Sequence, residues 1–522
     1  MSVHEAAKLI RTGQYVPDIL DCLAQLSNDE VPTPPKLARA MLDVLQAEVW
    51  SQPDYRWLDP FCKSGIFLRE AAARLLEGLS DQIPDFEKRR DHIYRNMLWG
   101  TSITGMTGMI SRRSLYYSRD ASGPASVVTF DHEAGNLPFI HAKHTFPKKK
   151  DGTVAGGCTI CGAPFDLERG EGRENHAYSF IHGAYPTEEM KDMKFDVIVG
   201  NPPYQVSDGG HGASSTPIYQ NFVEAAMDLD PRYVLMITPS RWFAGGKGLD
   251  KFRDRMLGDN GLRVLVDYPK LYDCFPGVKI RGGVSYFLWD REHDGPCRVQ
   301  TMWEGEPVGL AVERTLSGYG VLVRRNEAVP ILDKVRVRAE TTLANRVSSR
   351  KPFGFPTNFH GKATGKFNDV KLFGSQKVTW IDRGEIKVNS DWVDDWKVLM
   401  TAVQGTSAAV ETMFLSRPII AGPRTACTET YVVAGRFGTE TEAQNYAGFL
   451  RTRFVRFLVS LRKATQHATR DVYSFVPDLP MNQVWTDEAL YQRYGITEDE
   501  VAFIESQVKE MPATARKKGD KE

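Results

Sequence analysis

Short apolar runs recur between residues 30 and 292, and helical stretches separate them. Runs such as FDVIVG, YVLMITPS and GVSYFLWD are apolar nearly throughout, not only at alternate positions. A strand that is apolar on both faces is buried on both faces, and alternation with helices is typical of a parallel sheet covered on two sides. Residues 30–292 therefore predict one doubly wound α/β domain, whose first half also contains strands at WLD, MLWG and ASVVTF.

The distance between two of these strand ends indicates an insertion. Asp59 and Asn201 are 142 residues apart, whereas three strand–helix units of about 30 residues would need about 90. The surplus coincides with residues 141–192, a polar, glycine-rich stretch with no clear period. We expect this stretch to be an insertion into the α/β domain.

The α/β alternation stops after Arg291. Residues 293–510 combine short β-like runs, glycines and basic residues with helical segments toward the end, which predicts a second domain of the α+β class. The remaining termini are a helical segment at 1–29 and a disordered tail at 511–522.

Positive charge is concentrated in this second half, although the whole chain of 522 residues balances 66 basic against 66 acidic side chains. Residues 334–377 hold ten lysines and arginines but only two acids. Such a stretch can follow phosphates, and interleaved aromatic rings can stack on bases. The stretch is compatible with nucleic-acid binding, with Lys362 and Lys366 as candidate phosphate contacts; the alternative is a solvated surface. The interleaved aromatic residues are Phe353, Phe355, Phe359, Phe367 and Phe373.

A second basic segment, 443–470, contains RFVRFLVSLRK, and we expect its Phe and Leu face to pack in the core with the cations outward.

The chain has no apolar run approaching the roughly 18–20 residues that span a bilayer, and its first residues lack the apolar region of a signal peptide. Seven cysteines without a framework spacing indicate reduced thiols. We therefore expect a cytoplasmic protein with no membrane partner.

The most specific motif is Asn201-Pro202-Pro203-Tyr204, directly after the strand FDVIVG. The carboxyl ends of parallel strands are where α/β proteins bind ligands. The Asn201 side-chain oxygen and the Pro202 carbonyl can both accept hydrogen bonds from one planar amino group, which frees its lone pair for attack, and Tyr204 offers a face for a planar ring. The motif predicts methylation of an amide or exocyclic amine; the alternative is a rigid turn.

Two further motifs precede it. Asp59-Pro60-Phe61-Cys62-Lys63-Ser64-Gly65 ends a strand and opens a helix, where small residues allow a ligand to approach the backbone. Thr33-Pro34-Pro35 stands just before the first helix of the domain. Alone, the former is also compatible with an ordinary corner and the latter with a helix cap.

In this order, the three motifs resemble those of the gamma-class adenine-N6 DNA methyltransferases of restriction–modification systems, the TaqI-like group. The resemblance covers 30–292 nearly end to end, and in that family a target-recognition domain follows, where 293–510 lies here. It implies the Rossmann-like fold of the S-adenosylmethionine-dependent methyltransferases, catalysis by Asn201, Pro202, Pro203 and Tyr204, and transfer of the methyl group to N6 of a flipped-out adenine.

The resemblance also implies which residues hold S-adenosylmethionine. Two positions depart from the family pattern: Lys63 replaces a glycine, and hydroxyls of Thr101, Ser102 and Thr104 stand where an acid usually binds the ribose. The contact to the adenine amine of the cofactor falls to Asp131 or Asn136. The expected cofactor-binding residues are Thr33, Pro34, Asp59, Pro60, Phe61, Ser64, Gly65, Ser102, Thr104 and Asn136.

The insertion contains Cys158-Thr159-Ile160-Cys161-Gly162, the shape of a zinc knuckle. A structural zinc needs two more ligands. His176 and His182 follow in the sequence, and His141 and His144 precede, but neither spacing is diagnostic. We take Cys158 and Cys161 with His176 and His182 as the candidate set; the alternative is two reduced cysteines in a turn.

The resemblance also implies double-stranded DNA as a partner, in a bacterium or phage, with Lys362 and Lys366 as contacts to its phosphates. A separate restriction endonuclease or helicase subunit is a further expected partner, because the chain shows no nuclease motif. Two other functions stay open. An NPPY motif can serve a planar amine of RNA or a protein glutamine, and the chain could instead be a catalytically silent DNA-reading subunit. The length of the C-terminal half argues against a glutamine methylase, and the intact motif argues against a silent subunit.

Overall fold

The computed structural model describes residues 31–163, 165, 178–206, 216–270, 272–278, 280, 282–375, 377–403, 414–463 and 468–511. The chain divides into two compact units, Met1–Gly320 and Val321–Glu522. Within the described ranges, no helix has the length and apolar character that crossing a bilayer would demand. The predicted N-terminal helical segment at 1–29 lies outside the described residues, as do 512–522 of the predicted tail.

The first unit is built on an eight-stranded sheet among the described residues. Its strands are β1 (Trp57–Asp59), β2 (Leu98–Gly100), β3 (Val197–Gly200), β6 (Tyr233–Pro239), β7 (Leu262–Tyr268), β8 (Val284–Asp290), β9 (Cys297–Trp303) and β10 (Glu306–Arg314); a separate hairpin pairs β4 (Gln205–Val206) with β5 (Thr216–Pro217). The strand order is β10-β9-β7-β8-β6-β3-β1-β2. Strands β2, β1, β3 and β6 are parallel to one another, whereas β8 runs antiparallel between β6 and β7.

Burial follows the sequence pattern. Every residue of β3 and β6 is buried, as expected for strands covered on both faces. The covering helices present one apolar face each, and Ile66, Phe67 and Leu68 of α2 are almost fully buried. The helices of this unit are α1 (Pro35–Leu42), α2 (Ile66–Gly78), α3 (Phe86–His92), α4 (Gly105–Tyr116), α5 (Tyr219–Asp228) and α6 (Asp250–Gly258).

The expected domain boundary at 292 and the structural one at Gly320 differ. Strand β9 is parallel to β7 and carries β10 as an antiparallel edge strand, so both extend the catalytic sheet. Most residues of β10 are exposed, and β9 is buried only at alternate positions. These strands lack the continuous apolar character of the inner strands, which is why the sequence pattern ends too early.

The expected strand ASVVTF, at 125–130, is not a strand in the structure. The position beside β2 is taken by a later segment, since Gly100 N–H donates to the Asn136 carbonyl (3.0 Å) and Ser102 forms a parallel bridge with Phe139. The insertion begins where this segment leaves the sheet. Its described part folds as a hairpin in which Lys148 pairs with Val154, followed by the CxxC turn.

The second unit contains two three-stranded sheets and a helical C-terminal part in its described residues, in agreement with the α+β expectation. One sheet has the order β12-β11-β15 and the other β14-β13-β16. Its elements are α7 (Ala328–Arg336), β11 (Val370–Phe373), β12 (Val378–Ile381), β13 (Trp396–Thr401), β14 (Ile419–Ala421), β15 (Thr425–Cys427), β16 (Tyr431–Phe437), α8 (Glu440–Arg451), α9 (Arg453–Ser460), α10 (Asp487–Tyr494) and α11 (Glu498–Gln507).

Aromatic residues of the basic stretch mainly build the core of this unit. Phe353 and Phe355 are buried, and Phe359 stacks on Phe355 at 4.5 Å between ring centroids. Phe367 differs, with 88% of its surface exposed. The expectation that the aromatic residues of 334–377 are available to bases is therefore wrong for Phe353 and Phe355.

The second basic segment, 443–470, contains α9 and most of α8, two helices that are separated by a break at Thr452. Its Phe and Leu side chains pack inward as expected, but one cation does too. Arg456 is fully buried, and its guanidinium donates to the carbonyls of Arg451, Thr452 and Lys509. Three carbonyl acceptors compensate the loss of water around the buried charge.

Candidate active site

The three motifs meet at the carboxyl edge of the first sheet. Asn201 follows β3, and its side-chain N–H group donates to the Val31 carbonyl (3.1 Å) and to the Thr33 hydroxyl (3.2 Å). These bonds join positions 170 and 168 residues apart. The N-terminal motif therefore helps to hold the asparagine that the sequence predicts to be catalytic.

The two hydrogen bonds orient the Asn201 amide. Because its nitrogen faces Val31 and Thr33, its oxygen points the other way. Asn201 is 3% exposed, and its Oδ1 has no hydrogen-bond partner among the residues that the structure describes. An unpaired buried acceptor costs free energy unless a ligand supplies a donor. The site thus holds a pre-oriented acceptor for an amino group.

Glycine is required where β3 reaches this motif. A Cβ on Gly200 would lie 2.5 Å from the Phe61 ring and 2.9 Å from the Asp59 carboxylate. The close approach holds the loop after β1 directly beside the loop after β3. Phe61 is in turn fixed by edge-to-face contacts with Phe180 (6.2 Å) and Phe222 (5.5 Å).

Asp59 ends β1 inside the protein. One carboxylate oxygen accepts from Phe61 N–H at 3.1 Å, and its own carbonyl accepts from Thr101 N–H at 3.1 Å. Burial raises the pKa of Asp59 to about 7, against the opposing effect of the Phe61 amide, the Cys62 thiol and the Lys63 ammonium. This carboxyl is therefore poised to change charge near neutral pH.

The helix α2 begins directly after this loop. Its capping residue, Gly65, has φ +69°, and a Cβ there would lie 2.9 Å from the Ser111 carbonyl of α4. Ser64 and Pro60 are buried beside it. The sequence-predicted loop residues from Asp59 to Gly65 are thus contiguous in space, with the N-terminus of α2 facing the same edge of the sheet.

Lys63, the departure from the family pattern, points toward the catalytic motif. Its ammonium group donates to the Val31 carbonyl at 3.4 Å and lies 5.8 Å from the centroid of the Tyr204 ring. Val31 is therefore shared by Lys63 and Asn201. The Tyr204 ring also meets Phe275 edge-on at 6.4 Å.

Burial raises the pKa of Tyr204 well above its ordinary value, so its ring is neutral. Two residues of the site, Val31 and Phe275, were not expected from the sequence. Val31 acts through its backbone, which has no side-chain signal, and Phe275 reaches the site only through the tertiary fold.

The three hydroxyls expected near the ribose have different surroundings. Thr101 Oγ1 donates to the Pro138 carbonyl (2.9 Å), and Thr104 caps α4 together with Thr107. Ser102 Oγ is buried with no partner among the described residues. Of the three hydroxyls, that of Ser102 is the one left without a hydrogen-bond partner in the described part of the chain.

The two candidates for the adenine contact of the cofactor are also placed differently. The Asn136 amide nitrogen lies within hydrogen-bond distance of the carbonyls of Tyr94 (3.2 Å), Arg95 (2.8 Å) and Leu98 (3.1 Å). Asp131 is exposed. The donor capacity of Asn136 is therefore used inside the fold, and its role toward a cofactor stays a prediction.

A second cluster forms in the insertion. Atoms of His144, Cys158, Cys161 and His182 that could bind a metal all lie within 4.8 Å of one another. Cys161 Sγ is 3.3 Å from His144 Nδ1, and Cys158 Sγ is 3.9 Å from His182 Nε2. His182 was expected in this set. His144 is the fourth member, and His176 lies outside the described residues.

The electrostatics of the cluster favour metal binding at Cys158 and His182 but not at Cys161, whose pKa burial raises to about 12. Burial acts to raise the pKa of Cys158, but the backbone amides of Cys161 and Ile160 and the His144 side chain outweigh it and lower the value to about 6. Burial and the neighbouring His144 lower the pKa of His182, which favours the neutral imidazole. A thiolate and a neutral imidazole are the forms that bind zinc.

The fold and the site together define a methyltransferase-type α/β protein with an acceptor for a planar amino group. Residues 96–275 match the Eco57I restriction-modification methylase family. A protein of Mycoplasma pneumoniae described as an uncharacterized adenine-specific methylase is 33% identical over 345 residues, which cover 61% of this chain and 81% of that protein. The chain belongs to this family of adenine-specific restriction-modification methylases, whose methyl donor is S-adenosylmethionine.

Solved structures that are similar to the chain are more distant. The type IIL restriction-modification enzyme MmeI, solved in complex with DNA, is 11% identical with a TM-score of 0.47 over 91% of this chain and 67% of its own. The DrdV–DNA complex is 11% identical with a TM-score of 0.46 over 98% and 60%. The chain spans about two thirds of these enzymes.

Proposed function

We propose that the protein transfers a methyl group from S-adenosylmethionine to N6 of an adenine flipped out of double-stranded DNA, as the modification component of a restriction–modification or phage-defence system. The observation that carries the proposal is the buried, unpartnered Oδ1 of Asn201, whose amide is oriented by Val31 and Thr33. Flipping is required because N6 is paired and stacked in the duplex.

The chain's own residues perform the activation. Asn201 Oδ1 and the Pro202 carbonyl accept from the two N–H bonds of the adenine amine, which directs its lone pair toward the incoming methyl group. The bound cofactor supplies that methyl group on a positively charged sulfur. As the nitrogen becomes positive, the two oxygens stabilise it until a proton leaves to solvent. Tyr204 stacks on the base, with Phe275 supporting its ring.

The cofactor would lie along the loops after β1 and β2. The unpartnered Ser102 hydroxyl supports a contact to the ribose, and the N-terminus of α2 at Gly65 supports a contact to the carboxylate. The pocket residues from Thr33 to Asn136 named from the sequence keep the roles expected there as part of this proposal.

The partners follow from the same activity. The second unit supplies the expected target-recognition region, and a separate restriction endonuclease or helicase subunit would cut unmodified DNA. A protein that modifies genomic DNA of a bacterium or phage acts in the cytoplasm.

The test is to incubate the purified protein with labelled S-adenosylmethionine and plasmid DNA, cellular RNA or protein in parallel, then to analyse digested products by chromatography. We expect N6-methyladenine from DNA. Methylcytosine as the only modified nucleoside would contradict the choice of base, and label in RNA or in protein glutamine alone would contradict the choice of substrate.

We further propose that His144, Cys158, Cys161 and His182 bind one structural zinc ion. Thiolate and imidazole ligands are typical of closed structural zinc sites, and a mutual separation within 4.8 Å suits four atoms around one ion. Such an ion would fix the root of the hairpin and take no part in the methyl transfer, because activation by Asn201 needs no metal.

The histidines offer a matched pair for the test, since the sequence alone left both His141 and His144 open. We expect His144→Ala to reduce bound zinc, measured by elemental analysis after dialysis, and His141→Ala to retain about one ion per chain. Zinc well below stoichiometry in the wild type would contradict the site. If His141→Ala loses the zinc and His144→Ala retains it, the ligand is His141 and the assignment of His144 is wrong.

A further inference from the structure

The described hairpin of the insertion carries a cluster of positive charge that the catalytic mechanism does not use. Residues 141–163 contain four lysines and one acid. Three of the lysines, Lys148, Lys149 and Lys150, are consecutive and exposed at its tip. Asp151 follows them, but its carboxylate accepts from the backbone N–H (3.0 Å) and the hydroxyl (2.6 Å) of Thr153. The tip therefore presents net positive charge to solvent.

The backbone gives this tip a defined shape. Lys149 N–H donates to the Thr153 carbonyl (2.8 Å), and Gly152 N–H closes the turn onto the Lys149 carbonyl (3.0 Å). The next backbone pair of the hairpin is formed by Ala155 N–H, which donates to the Pro147 carbonyl (2.8 Å). The lysines thus project from a folded hairpin with a fixed turn.

The root of the hairpin is anchored beside the active site. Asn221, in the first turn of α5, donates to the Ile160 carbonyl at 3.4 Å. Helix α5 begins shortly after Tyr204, so its first turn lies at the catalytic edge of the sheet. On the returning segment, Tyr178 packs edge-to-face on Phe222, and Phe180 packs on Phe61 of the cofactor loop.

The hairpin therefore leaves the protein on the side where a flipped base must enter. From the cluster to the tip is about five residues, or about 15 Å of extended chain. Duplex DNA carries one phosphate charge per about 1.7 Å of helix axis, so a duplex seated over the pocket offers several phosphates within that reach.

We propose that Lys148, Lys149 and Lys150 contact the DNA backbone beside the flipped adenine, as a phosphate-binding element of the catalytic unit that is separate from the recognition region. The inference rests on the proposed function, because it assumes a duplex at the active site. The hairpin orients DNA and adds affinity without reading sequence, since contacts to phosphates carry no base information.

The experiment compares two triple variants that each remove three positive charges. The test variant is Lys148→Gln, Lys149→Gln and Lys150→Gln. The control is Lys88→Gln, Lys194→Gln and Arg255→Gln, three exposed cations that precede β2, β3 and β7 and lie away from the catalytic edge. Dissociation constants of full-length protein for a labelled duplex of about 25 base pairs are measured by anisotropy between about 50 and 200 mM salt.

We expect the slope of log Kd against log salt to decrease by about 2–3 in the test variant, since each lost phosphate contact contributes about 0.9. The control should keep the wild-type slope, and the test variant should keep its zinc content, S-adenosylmethionine affinity and kcat at saturating DNA. A test variant with the wild-type slope, or with the same decrease as the control, overturns the inference. Wild-type protein that methylates no duplex adenine instead overturns the proposed function.

Discussion

The two units differ in how directly their sequence patterns correspond to their surfaces. In the first unit, the loop after β1 and the motif after β3 come together at one sheet edge, where the Asn201 amide donates a hydrogen bond to the Thr33 hydroxyl. In the second unit, residues 334–377 combine positive charge with aromatic residues, a composition that can bind nucleic acid. In the structure, however, Phe353 lies in the core and Phe367 in solvent. A motif tied to a strand end has a defined location, whereas a basic, aromatic composition does not.

The physical reason is the source of the constraint. Strand ends of a parallel sheet must converge, so residues after β1 and β3 are neighbours in any arrangement of this fold. Aromatic rings, in contrast, lower the free energy in a core as well as on a base, and only tertiary packing decides between the two. The predictions below test each side of this difference.

The largest effect should come from replacing Asn201, whose amide is oriented by Val31 and Thr33. We expect Asn201→Ala to lower the rate of methyl transfer by about 10³-fold, because the pre-oriented acceptor is lost, as for removal of a hydrogen-bonding group that stabilises a transition state. Affinity for S-adenosylmethionine, measured by calorimetry, should stay close to the wild type, since Asn201 polarises the amine and does not hold the cofactor.

Asn201→Asp provides the matched control. It keeps an acceptor of the same shape but places a second oxygen against the Val31 carbonyl, which now accepts from the amide nitrogen at 3.1 Å. We expect activity between those of the wild type and the alanine variant. Full activity in either variant would show that the oriented Asn201 amide is not needed for methyl transfer.

The second effect separates the two aromatic residues of the basic stretch. Phe353→Ala should lower the free energy of unfolding by about 3–5 kcal/mol, because a buried ring is replaced by a cavity. Phe367→Ala should change it by less than about 0.5 kcal/mol and instead weaken DNA binding by about 1–3 kcal/mol if the exposed ring stacks on a base.

Urea unfolding and DNA titration of both variants measure these effects. Equal loss of stability in the two variants would contradict the assignment of one ring to the core and the other to the surface. Unchanged DNA affinity of Phe367→Ala would leave its exposed ring without a role in binding.

The fold of the first unit was largely predictable because its inner strands are apolar on both faces. The same rule explains where prediction stopped: β10 is mostly exposed and β9 alternates, so neither resembles β6. Partners of the site that act through backbone or tertiary contact were not predictable either. The Val31 carbonyl has no sequence signature, and nothing in the spacing of His144 distinguishes it from His141.

A third effect concerns the charge of Asp59. Its folded-state pKa of about 7 exceeds the ordinary 3.8, so the folded protein binds this proton more tightly than the unfolded chain. Its contribution to the free energy of unfolding is therefore fully present below about pH 4 and is lost as pH rises to about 7. The slope is at most about 1.4 kcal/mol per pH unit.

Asp59→Asn removes this titration, so the difference in unfolding free energy between wild type and variant should shift in favour of the variant across that pH range. Asp131→Asn, at an exposed acid, is the matched control for the loss of one carboxyl group. Stability curves for wild type and Asp59→Asn that stay parallel from pH 4 to 7 would contradict the buried, protonatable carboxyl.

The smallest effect tests whether the exposed remainder of the basic stretch binds DNA at all. Lys362 and Lys366 are exposed, and their backbones are fixed by bonds from Lys362 N–H to the Trp380 carbonyl (2.7 Å) and from Lys366 N–H to Asp369 (2.8 Å). Because the backbone is already fixed, only the side chain of each lysine has to be ordered when it contacts a phosphate. Replacing either by Gln should lower the salt slope of DNA binding by about 1 and weaken all sequences alike.

Lys509→Gln, at an exposed lysine elsewhere in the same unit, is the control for a general change in charge. If Lys362→Gln and Lys366→Gln leave the slope at the control value, the basic stretch is a solvated surface, and its positive charge tells as little about function as its buried aromatic rings do. If they lower it, the charges of this stretch mark the DNA-binding surface although most of its aromatic residues belong to the core. Charge would then be the better guide, because burial of an unpaired lysine is costly whereas burial of a phenylalanine is favourable.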